Sequence, residues 1–222
     1  MGEQADRIEG VPRPLTLREL VRRRPRRIGA ELAWRWTYTW GPPRLSRARA
    51  LWARLANPHT TLRLGEGVIL GPGFTLHAPY GGTLEIGAGT ELRRGFRVEL
   101  AGPDARVLIG RSCVFTYDAV VQCSTSIEIG DRCQFGQALL IVDGNHRFRD
   151  LDTPMLQQGY DFRPIRIADD ATVLTKCTIV ADLGERAMVG ANSVVIRPVP
   201  SFTVVGGVPA RELEYFGPPR EA

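Results

Sequence analysis

"IEIGDRCQFGQALLIV", residues 127–142, carries a large apolar residue at every sixth position: Ile129, Phe135 and Ile141. The same spacing recurs along the chain in six triplets, and all eighteen members are Leu, Ile, Val or Phe. The other five triplets are Leu64, Leu70 and Leu76; Ile86, Leu92 and Val98; Ile109, Phe115 and Val121; Ile167, Val173 and Ile179; and Leu183, Val189 and Val195. Glycine often follows the apolar residue, and a small residue often stands four positions after it, so the repeat is a hexad.

A six-residue period predicts a parallel β-helix in which each hexad forms one side of a triangular coil. The apolar residue of each side is expected to point inward and to stack on its equivalent in the next coil, about 4.8 Å along the axis. Glycine is expected to supply corner conformations that a Cβ would penalise. Cys113 and Cys133 fall at equivalent inward positions, which predicts small buried side chains. The spacing leaves the hand of the coil open, although crossovers between parallel strands are right-handed in about 98 % of cases.

The length of 222 residues predicts one fair-sized domain or one domain with an appendage. We expect an Arg/Trp-rich N-terminal segment over residues 1–61, the repeat over 62–205 and a C-terminal tail over 206–222. Residues 1–63 carry 14 Arg and five acidic residues, whereas residues 64–222 carry 15 basic and 19 acidic residues. Residues 1–63 therefore have a net charge of +9, and the repeat domain is mildly acidic with −4. The chain has 28 Arg and one Lys, so the number of Arg residues alone is weak evidence for a nucleic-acid partner.

The four cysteines form no CxxC pair and have no histidine at zinc spacing, so we expect neither a metal site nor a disulfide framework. They are Cys113, Cys123, Cys133 and Cys177. The opening MGEQADRIEG lacks the features of a signal peptide, and no apolar run approaches the ~18 residues of a membrane span. These features predict a soluble, cytoplasmic protein.

The repeat breaks off after Ile141, because the pattern resumes only at Ile167 instead of six positions further on. We place the extruded loop at residues 143–164, and long excursions from a compact scaffold tend to be functional. The loop contains His146, and an imidazole, with an ordinary pKa of about 6.5, accepts a proton at neutral pH. From the spacing alone, a catalytic base and a histidine that only pins the loop are equal alternatives. His59 and His77 fall in turns and are expected to be solvated or structural.

The hexads, the DGNH segment at residues 143–146 and the VVGGVPARELEYFG segment at residues 204–217 resemble the hexapeptide-repeat acyltransferases. That family includes maltose and galactoside O-acetyltransferases, capsule-sugar acetyltransferases and xenobiotic acetyltransferases. The resemblance covers about residues 62–216 and implies an all-β, left-handed parallel β-helix with an extruded loop. It also implies a homotrimer that uses acetyl-CoA or another acyl-CoA as co-substrate.

In that family a histidine at the start of the extruded loop acts as general base, and His146 matches that position. The resemblance therefore implies transfer of an acyl group, expected to be acetyl, from acyl-CoA to a hydroxyl or amine of a small-molecule or sugar acceptor. Three symmetric sites would lie between the subunits. The candidate acceptor contacts are Asp143, Asn145, Arg147 and Tyr160. Turn formation explains an Asp-Gly-Asn run at least as well.

The segment at residues 206–211 resembles the family's G-x-P-A-(Lys/Arg) element, whose basic residue lies near the nucleotide end of CoA. Arg211 is therefore the first candidate for a phosphate contact, followed by Lys176 and Arg197, although a solvated face explains Arg197 better. The remaining candidates for cofactor contact are Gly207, Pro209 and Ala210.

Two departures from the family pattern bear on CoA use. Thr172-Val173-Leu174 stands where members commonly carry Trp-Ile-Gly, so the Leu174 side chain could narrow the pantetheine groove. The turn before Leu183 is also two residues shorter than a hexad. A non-catalytic binding or assembly subunit is therefore the alternative function. A β-helical carbonic anhydrase needs three histidines around zinc, and only His146 lies where such a ligand could sit.

The N-terminal segment holds all the tryptophans, which are Trp34, Trp36, Trp40 and Trp52. Apolar spacing predicts two short amphipathic helices, one around Leu17–Val21 and one around Leu45–Leu55. Residues 33–40, AWRWTYTW, suit either a strand or a helix. We expect the segment to cap the open first coil, which otherwise exposes unpaired strand edges. Peripheral membrane contact is the second interpretation, and nucleic acid is a distant third.

Overall fold

The computed structural model describes residues 28–35 and 41–219, with some side chains of the two helices left out. The chain divides into two compact units, residues 1–41 and 42–222. Helix α1, Ile28–Arg35, is the element described in the first unit.

Helix α2, Gly41–Ala56, leads into the strands of the second unit and confirms the helix predicted around Leu45–Leu55. Helix α1 makes residues 33–35 of the undecided AWRWTYTW segment helical. The helix predicted around Leu17–Val21 lies outside the described residues. No helix in the described part of the chain is both long enough and apolar enough to cross a bilayer.

Three sheets, in which successive coils pair in parallel, form the faces of a left-handed β-helix. Face 1 contains Thr60–Leu64, Gly82–Ile86, Arg106–Ile109, Ser126–Ile129 and Ile165–Ile167. Face 2 contains Ile69–Leu70, Glu91–Leu92, Val114–Phe115, Gln134–Phe135, Thr172–Val173, Met188–Val189, Thr203–Gly207 and the antiparallel Ala210–Tyr215. Face 3 contains Thr75–His77, Arg97–Leu100, Val120–Cys123, Leu140–Val142, Thr178–Ile179 and Val194–Val195. Outside the coils lie an antiparallel pair and one 3-10 turn: Gly144–His146, Tyr160–Phe162 and Met155–Gln157.

The coils shorten toward the C-terminal end. Thr60 pairs with Gly82 in the next coil, whereas Thr172 pairs with Met188, so the later coil is shorter by one hexad. Face 1 accounts for the loss, because after its fifth strand it continues only as isolated bridges, the first at Leu183. The short turn before Leu183 therefore belongs to a coil in which face 1 consists of one paired residue, Leu183.

The interior of the coils is packed as the hexads predict. Seventeen of the eighteen inward residues are buried, and Leu64, near the open end, is half-buried. The small residues of the hexads are buried too, and Cys113 is one of them. The rings of Phe96, Phe115 and Phe135 form a column, with successive centroids 4.8 and 4.2 Å apart. This column ties three successive coils together.

The hexad glycines allow coils to approach each other, so the prediction that they supply the corner conformations is wrong. Gly110 has no positive φ, and a Cβ there would lie 2.5 Å from the backbone of Gly130 in the next coil. The left-handed corners lie two residues later in the hexad. Gly67 has φ +73° at such a corner, but Ser112 and Arg132 adopt +55° and +56° at equivalent positions. Later coils therefore hold non-glycine residues in the left-handed conformation.

Helix α2 lies against the first coil and binds its backbone. The Ser46 hydroxyl accepts a hydrogen bond from the Leu70 N–H at 2.8 Å, and the Arg49 guanidinium donates to the Leu70 carbonyl at 2.7 Å. The Asn57 side-chain amide donates to the Leu76 carbonyl at 3.0 Å. These bonds satisfy edge groups of the first coil that would otherwise lack partners, as capping requires.

Candidate active site

Asp143 joins the coil to the loop and is itself part of the coil interior. Its carboxylate is buried and accepts hydrogen bonds from the backbone N–H of Ser124 at 2.8 Å and of Thr125 at 2.7 Å. The Thr125 hydroxyl donates a third bond at 2.7 Å. At the return of the loop, the Arg163 N–H donates to the Asp143 carbonyl at 2.8 Å. Asp143 therefore fixes the base of the loop, and its carboxylate is already occupied.

The loop leaves the coil as a two-stranded hairpin rather than as irregular chain. Gly144 pairs with Phe162 and His146 with Tyr160 in antiparallel register. A Cβ on Gly144 would lie 2.8 Å from the Phe162 ring, so glycine lets that ring lie across the strand. The His146 and Tyr160 rings are 4.4 Å apart, and the Tyr160 and Phe162 rings are stacked at 5.6 Å. The histidine is thus held on a regular strand by a row of aromatic rings.

Polar contacts close the far end of the loop. The Gln158 side chain donates to the carbonyls of Asp150 and Thr153 at 2.8 and 2.7 Å and accepts from the Asp150 N–H at 3.1 Å. The Asp161 carboxylate accepts a 2.6 Å bond from the Arg147 guanidinium. Hydrogen bonds from the Thr153 hydroxyl and from backbone N–H groups lower the pKa of Asp150. The tip of the loop is therefore held together by hydrogen bonds among its own residues.

His146 is exposed and faces a cavity of about 600 Å³ formed by the loop. Asn145 and Arg147, predicted as acceptor contacts, line this cavity with it, together with Asp161 and Gln158. Tyr160 is not among the lining residues, since its ring packs against the His146 ring. Sequence reasoning missed Gln158, because a glutamine in a Gln-Gln-Gly run carries no signal of the bonds that it makes.

The cavity brings an imidazole together with positively and negatively charged side chains. Its lining includes Arg147 and Arg149 as cations and Asp150 and Asp161 as anions. Because these charges balance, the site suits a neutral polar molecule better than a highly charged one. An exposed imidazole beside such a molecule can accept a proton from one of its hydroxyl or amine groups.

The C-terminal element folds as the hairpin Thr203–Gly207 with Ala210–Tyr215. Ala210 and Arg211 line a cavity of about 170 Å³ together with Arg197, so the structure brings together three of the residues considered for CoA. Gly207 and Pro209 belong to the hairpin turn outside that lining.

Two further features describe the positions of Gly207 and Lys176. The N–H of Gly207 donates to the Ser193 hydroxyl at 3.0 Å, which ties the hairpin turn to the preceding coil. Lys176 occupies a left-handed corner of an earlier coil, with φ +57°, and does not line the cavity at Arg211. The five predicted cofactor contacts are therefore spread over one cavity, one turn and one corner.

The loop and part of the lining of the smaller cavity both follow strands of face 3. The loop leaves after the face 3 strand Leu140–Val142, and the smaller cavity lies at residues 195–200, which follow the face 3 pairing two coils later. Two coils correspond to about 10 Å along the axis. His59 and His77 are exposed elsewhere, on the first coil. Within residues 28–35 and 41–219, no group of three or more His, Cys, Asp or Glu side chains could hold a metal ion.

The chain is 30 % identical over 166 residues to a curated protein of Mycobacterium tuberculosis that is named a probable acetyltransferase. The aligned region is 73 % of this chain and 54 % of that protein, so the chain spans about half the length of this relative. No protein-family model matches the chain.

Two solved structures have a similar fold. The hexapeptide-repeat acetyltransferase VCA0836 of Vibrio cholerae, complexed with acetyl coenzyme A, is 23 % identical with a TM-score of 0.51 over 85 % of each chain. The N-acyltransferase AntD of Bacillus cereus, complexed with dTDP and 3-hydroxybutyryl-CoA, is 16 % identical with a TM-score of 0.58 over 73 % of this chain and 86 % of that one. At these identities the likeness establishes the fold.

The curated relative and the fold agree with the hexads, the extruded loop and the C-terminal hairpin. On these grounds the chain has the left-handed β-helix fold of the hexapeptide-repeat acyltransferases, and 73 % of its sequence aligns with a probable acetyltransferase.

Proposed function

We propose that this protein transfers an acetyl group from acetyl-CoA to a hydroxyl or amine of a small-molecule or sugar acceptor, with His146 as the general base. The observation that carries the proposal is an exposed imidazole, held on a rigid hairpin, at a polar cavity of about 600 Å³. The relative named a probable acetyltransferase and the acetyl-CoA complex of a protein with the same fold support acetyl-CoA as the donor.

In the proposed reaction, His146 takes the proton from the acceptor hydroxyl or amine as the acceptor attacks the thioester carbonyl. The tetrahedral intermediate then collapses with cleavage of the carbon–sulfur bond, and the imidazolium returns the proton to the departing CoA sulfur. The acceptor gains the acetyl group, and the imidazole is regenerated. Backbone N–H groups would stabilise the negative oxygen of the intermediate.

The acceptor would bind in the loop cavity through Asn145 and Arg147. Asp161 holds the Arg147 guanidinium at 2.6 Å, which orients its remaining donors. Tyr160 keeps the His146 ring in place by a tilted ring contact at 4.4 Å, and 48 % of its surface is exposed to solvent. Asp143 was a candidate acceptor contact, but its buried and fully used carboxylate favours the structural role.

The CoA phosphates would bind at Arg211 and its neighbour Arg197, with Ala210, Gly207 and Pro209 shaping the turn beside them. Residues 195–200 of this cavity leave face 3 two coils after the loop does, about 10 Å along the axis, so an extended pantetheine could run from there toward His146. Lys176 would contribute from its exposed corner. We further propose a homotrimer, in which each site is completed by a neighbouring copy.

The alternative is a non-catalytic binding or assembly subunit, and Leu174 is the observation that favours it. Its side chain is 37 % exposed, and its backbone lies over Gly136, where a Cβ would come within 2.7 Å. The side chain therefore stands on the outer surface where the family commonly has glycine.

Titration calorimetry with acetyl-CoA separates the two functions. Micromolar affinity supports the enzyme, and absence of binding at millimolar acetyl-CoA supports the alternative. Turnover is followed by release of free CoA thiol across sugar and amine acceptors. We expect His146→Ala to abolish turnover with nearly unchanged acetyl-CoA affinity, while His77→Ala, an exposed histidine outside the loop, retains both. Turnover by His146→Ala at the wild-type rate would remove His146 from the mechanism.

A further inference from the structure

Helix α2 has two apolar faces, and only one of them is covered by the coil. The inner face holds Ala50 and Ala53, each 5 % exposed, next to the buried Ser46. At about 100° per residue, Trp52 and Leu55 lie on the opposite side of the helix. A helix that needed only to cap the coil would carry polar residues there.

The outer face is strongly exposed. Trp52 shows 72 % of its surface, Leu55 67 %, Leu51 58 % and Leu45 46 %. Beside Trp52, between the helix and the first coil, runs a groove of about 350 Å³ that is also lined by Phe74. Large exposed apolar side chains on one contiguous surface mark an interaction site.

The charged residues of helix α2 all have one sign. Helix α2 contains four Arg and no acidic residue. Arg47 and Arg54 border the apolar face on one side at helical spacing. Residues 41–100 as a whole carry eight Arg and four Glu, whereas residues 101–219 carry 11 basic and 14 acidic residues. The end of the prism that bears α2 is therefore positive, and the rest is negative.

We propose that the outer face of α2 lies on the surface of an anionic phospholipid bilayer, with Trp52, Leu51 and Leu55 inserted at the level of the headgroups. An amphipathic helix with Arg along its polar border and Trp and Leu on its apolar face is the type that binds in the plane of such a surface. Residues 1–40 carry nine Arg and five acidic residues, so repulsion of like charge disfavours that segment as the occupant. The same repulsion disfavours a second copy of α2.

The test is sedimentation of the intact chain with vesicles of equimolar phosphatidylcholine and phosphatidylglycerol, against vesicles of phosphatidylcholine alone. We expect binding to the anionic vesicles only, weakening as salt is raised. Trp52→Glu with Leu55→Glu should reduce binding at least tenfold. Leu151→Glu with Leu156→Glu, 97 % and 86 % exposed on the loop, adds the same charge elsewhere and should bind like wild type.

A fluorescence measurement reports insertion itself. In Trp34→Phe/Trp36→Phe/Trp40→Phe, Trp52 is the sole tryptophan, and its emission should shift to shorter wavelength on anionic vesicles. Failure of the intact chain to bind these vesicles overturns the proposal, as does equal binding by the Trp52→Glu/Leu55→Glu variant. Self-association that depends on Trp52 and Leu55, without vesicle binding, would assign the face to a second copy instead.

Discussion

Replacing Asp143 by alanine should destabilise the protein more than any other single change in the loop or at its base. The buried carboxylate accepts two backbone bonds of 2.8 and 2.7 Å, from Ser124 and Thr125, and a 2.7 Å bond from the Thr125 hydroxyl. Without the carboxylate, the two N–H groups lose their partner, at about 1–3 kcal/mol for each donor left unsatisfied in a buried position. Because Ser124 and Thr125 are half-buried, we take the lower part of that range.

The expected loss is then about 3 kcal/mol in the free energy of unfolding. For a chain of this size it corresponds to a fall in Tm of about 6–12 °C. Circular dichroism during thermal and urea unfolding measures both quantities. Asp143→Asn keeps one acceptor oxygen and should fall between wild type and Asp143→Ala.

Asp150→Ala is the matched control, because it removes an exposed loop carboxylate that accepts a bond from the Asp152 N–H at 3.0 Å. Its Tm should stay close to that of wild type. If Asp143→Ala unfolds within about 2 °C of wild type, or no earlier than Asp150→Ala, the carboxylate does not anchor the loop and the reasoning is refuted.

Three further predictions follow from the ring row, the coil spacing and the buried thiols. Tyr160→Leu should lower kcat about tenfold to hundredfold by releasing the His146 ring, whereas Tyr160→Phe should keep kcat and so separate ring packing from the hydroxyl; equal losses would contradict the positioning role. Gly136→Ala should destabilise by at least about 2 kcal/mol, since its Cβ would meet the next coil's backbone at 2.7 Å, while Gly102→Ala, with its nearest contact at 3.4 Å, should be nearly neutral by urea unfolding. Burial, followed by the charge of a nearby carboxylate, raises the pKa of Cys123 from 9.0 to about 12. The free energy of unfolding should therefore fall as the pH rises from 9 toward 12, because the unfolded chain loses the thiol proton first, and it should fall less in Cys123→Ala. An equal fall in both proteins, measured by urea unfolding, would exclude this thiol as the cause.

The six-residue apolar period was sufficient to predict the β-helix. A strand side chain points to one of the two faces of its sheet, and the apolar residue at every sixth position marks the face that lies inside the coil. The place where the period stops, after Ile141, likewise located the loop and its histidine. The role of the hexad glycines was misjudged, since a close approach such as that of Gly110 to Gly130 depends on the neighbouring coil and leaves no mark within the hexad itself.

The candidate site was harder to predict than the fold. Asp143 and Asn145 are only two positions apart in an Asp-Gly-Asn run, yet Asp143 is buried and Asn145 lines the loop cavity. The bonds made by Gln158 join residues five and eight positions apart across an irregular tip, where no period constrains the side chains. Similarly, the spacing of Leu and Trp indicated the apolar face of α2, but only the packed structure shows which face of the helix the coil covers.

The most direct test of the proposed acetyl transfer is a crystal structure of the protein with coenzyme A bound. The quantity to measure is the distance between the CoA sulfur and the nearest His146 imidazole of any copy. We expect the sulfur at the mouth of the loop cavity, within reach of that imidazole, with the nucleotide phosphates at Arg211. A CoA sulfur remote from every His146, or no bound CoA at millimolar concentration, would contradict the account.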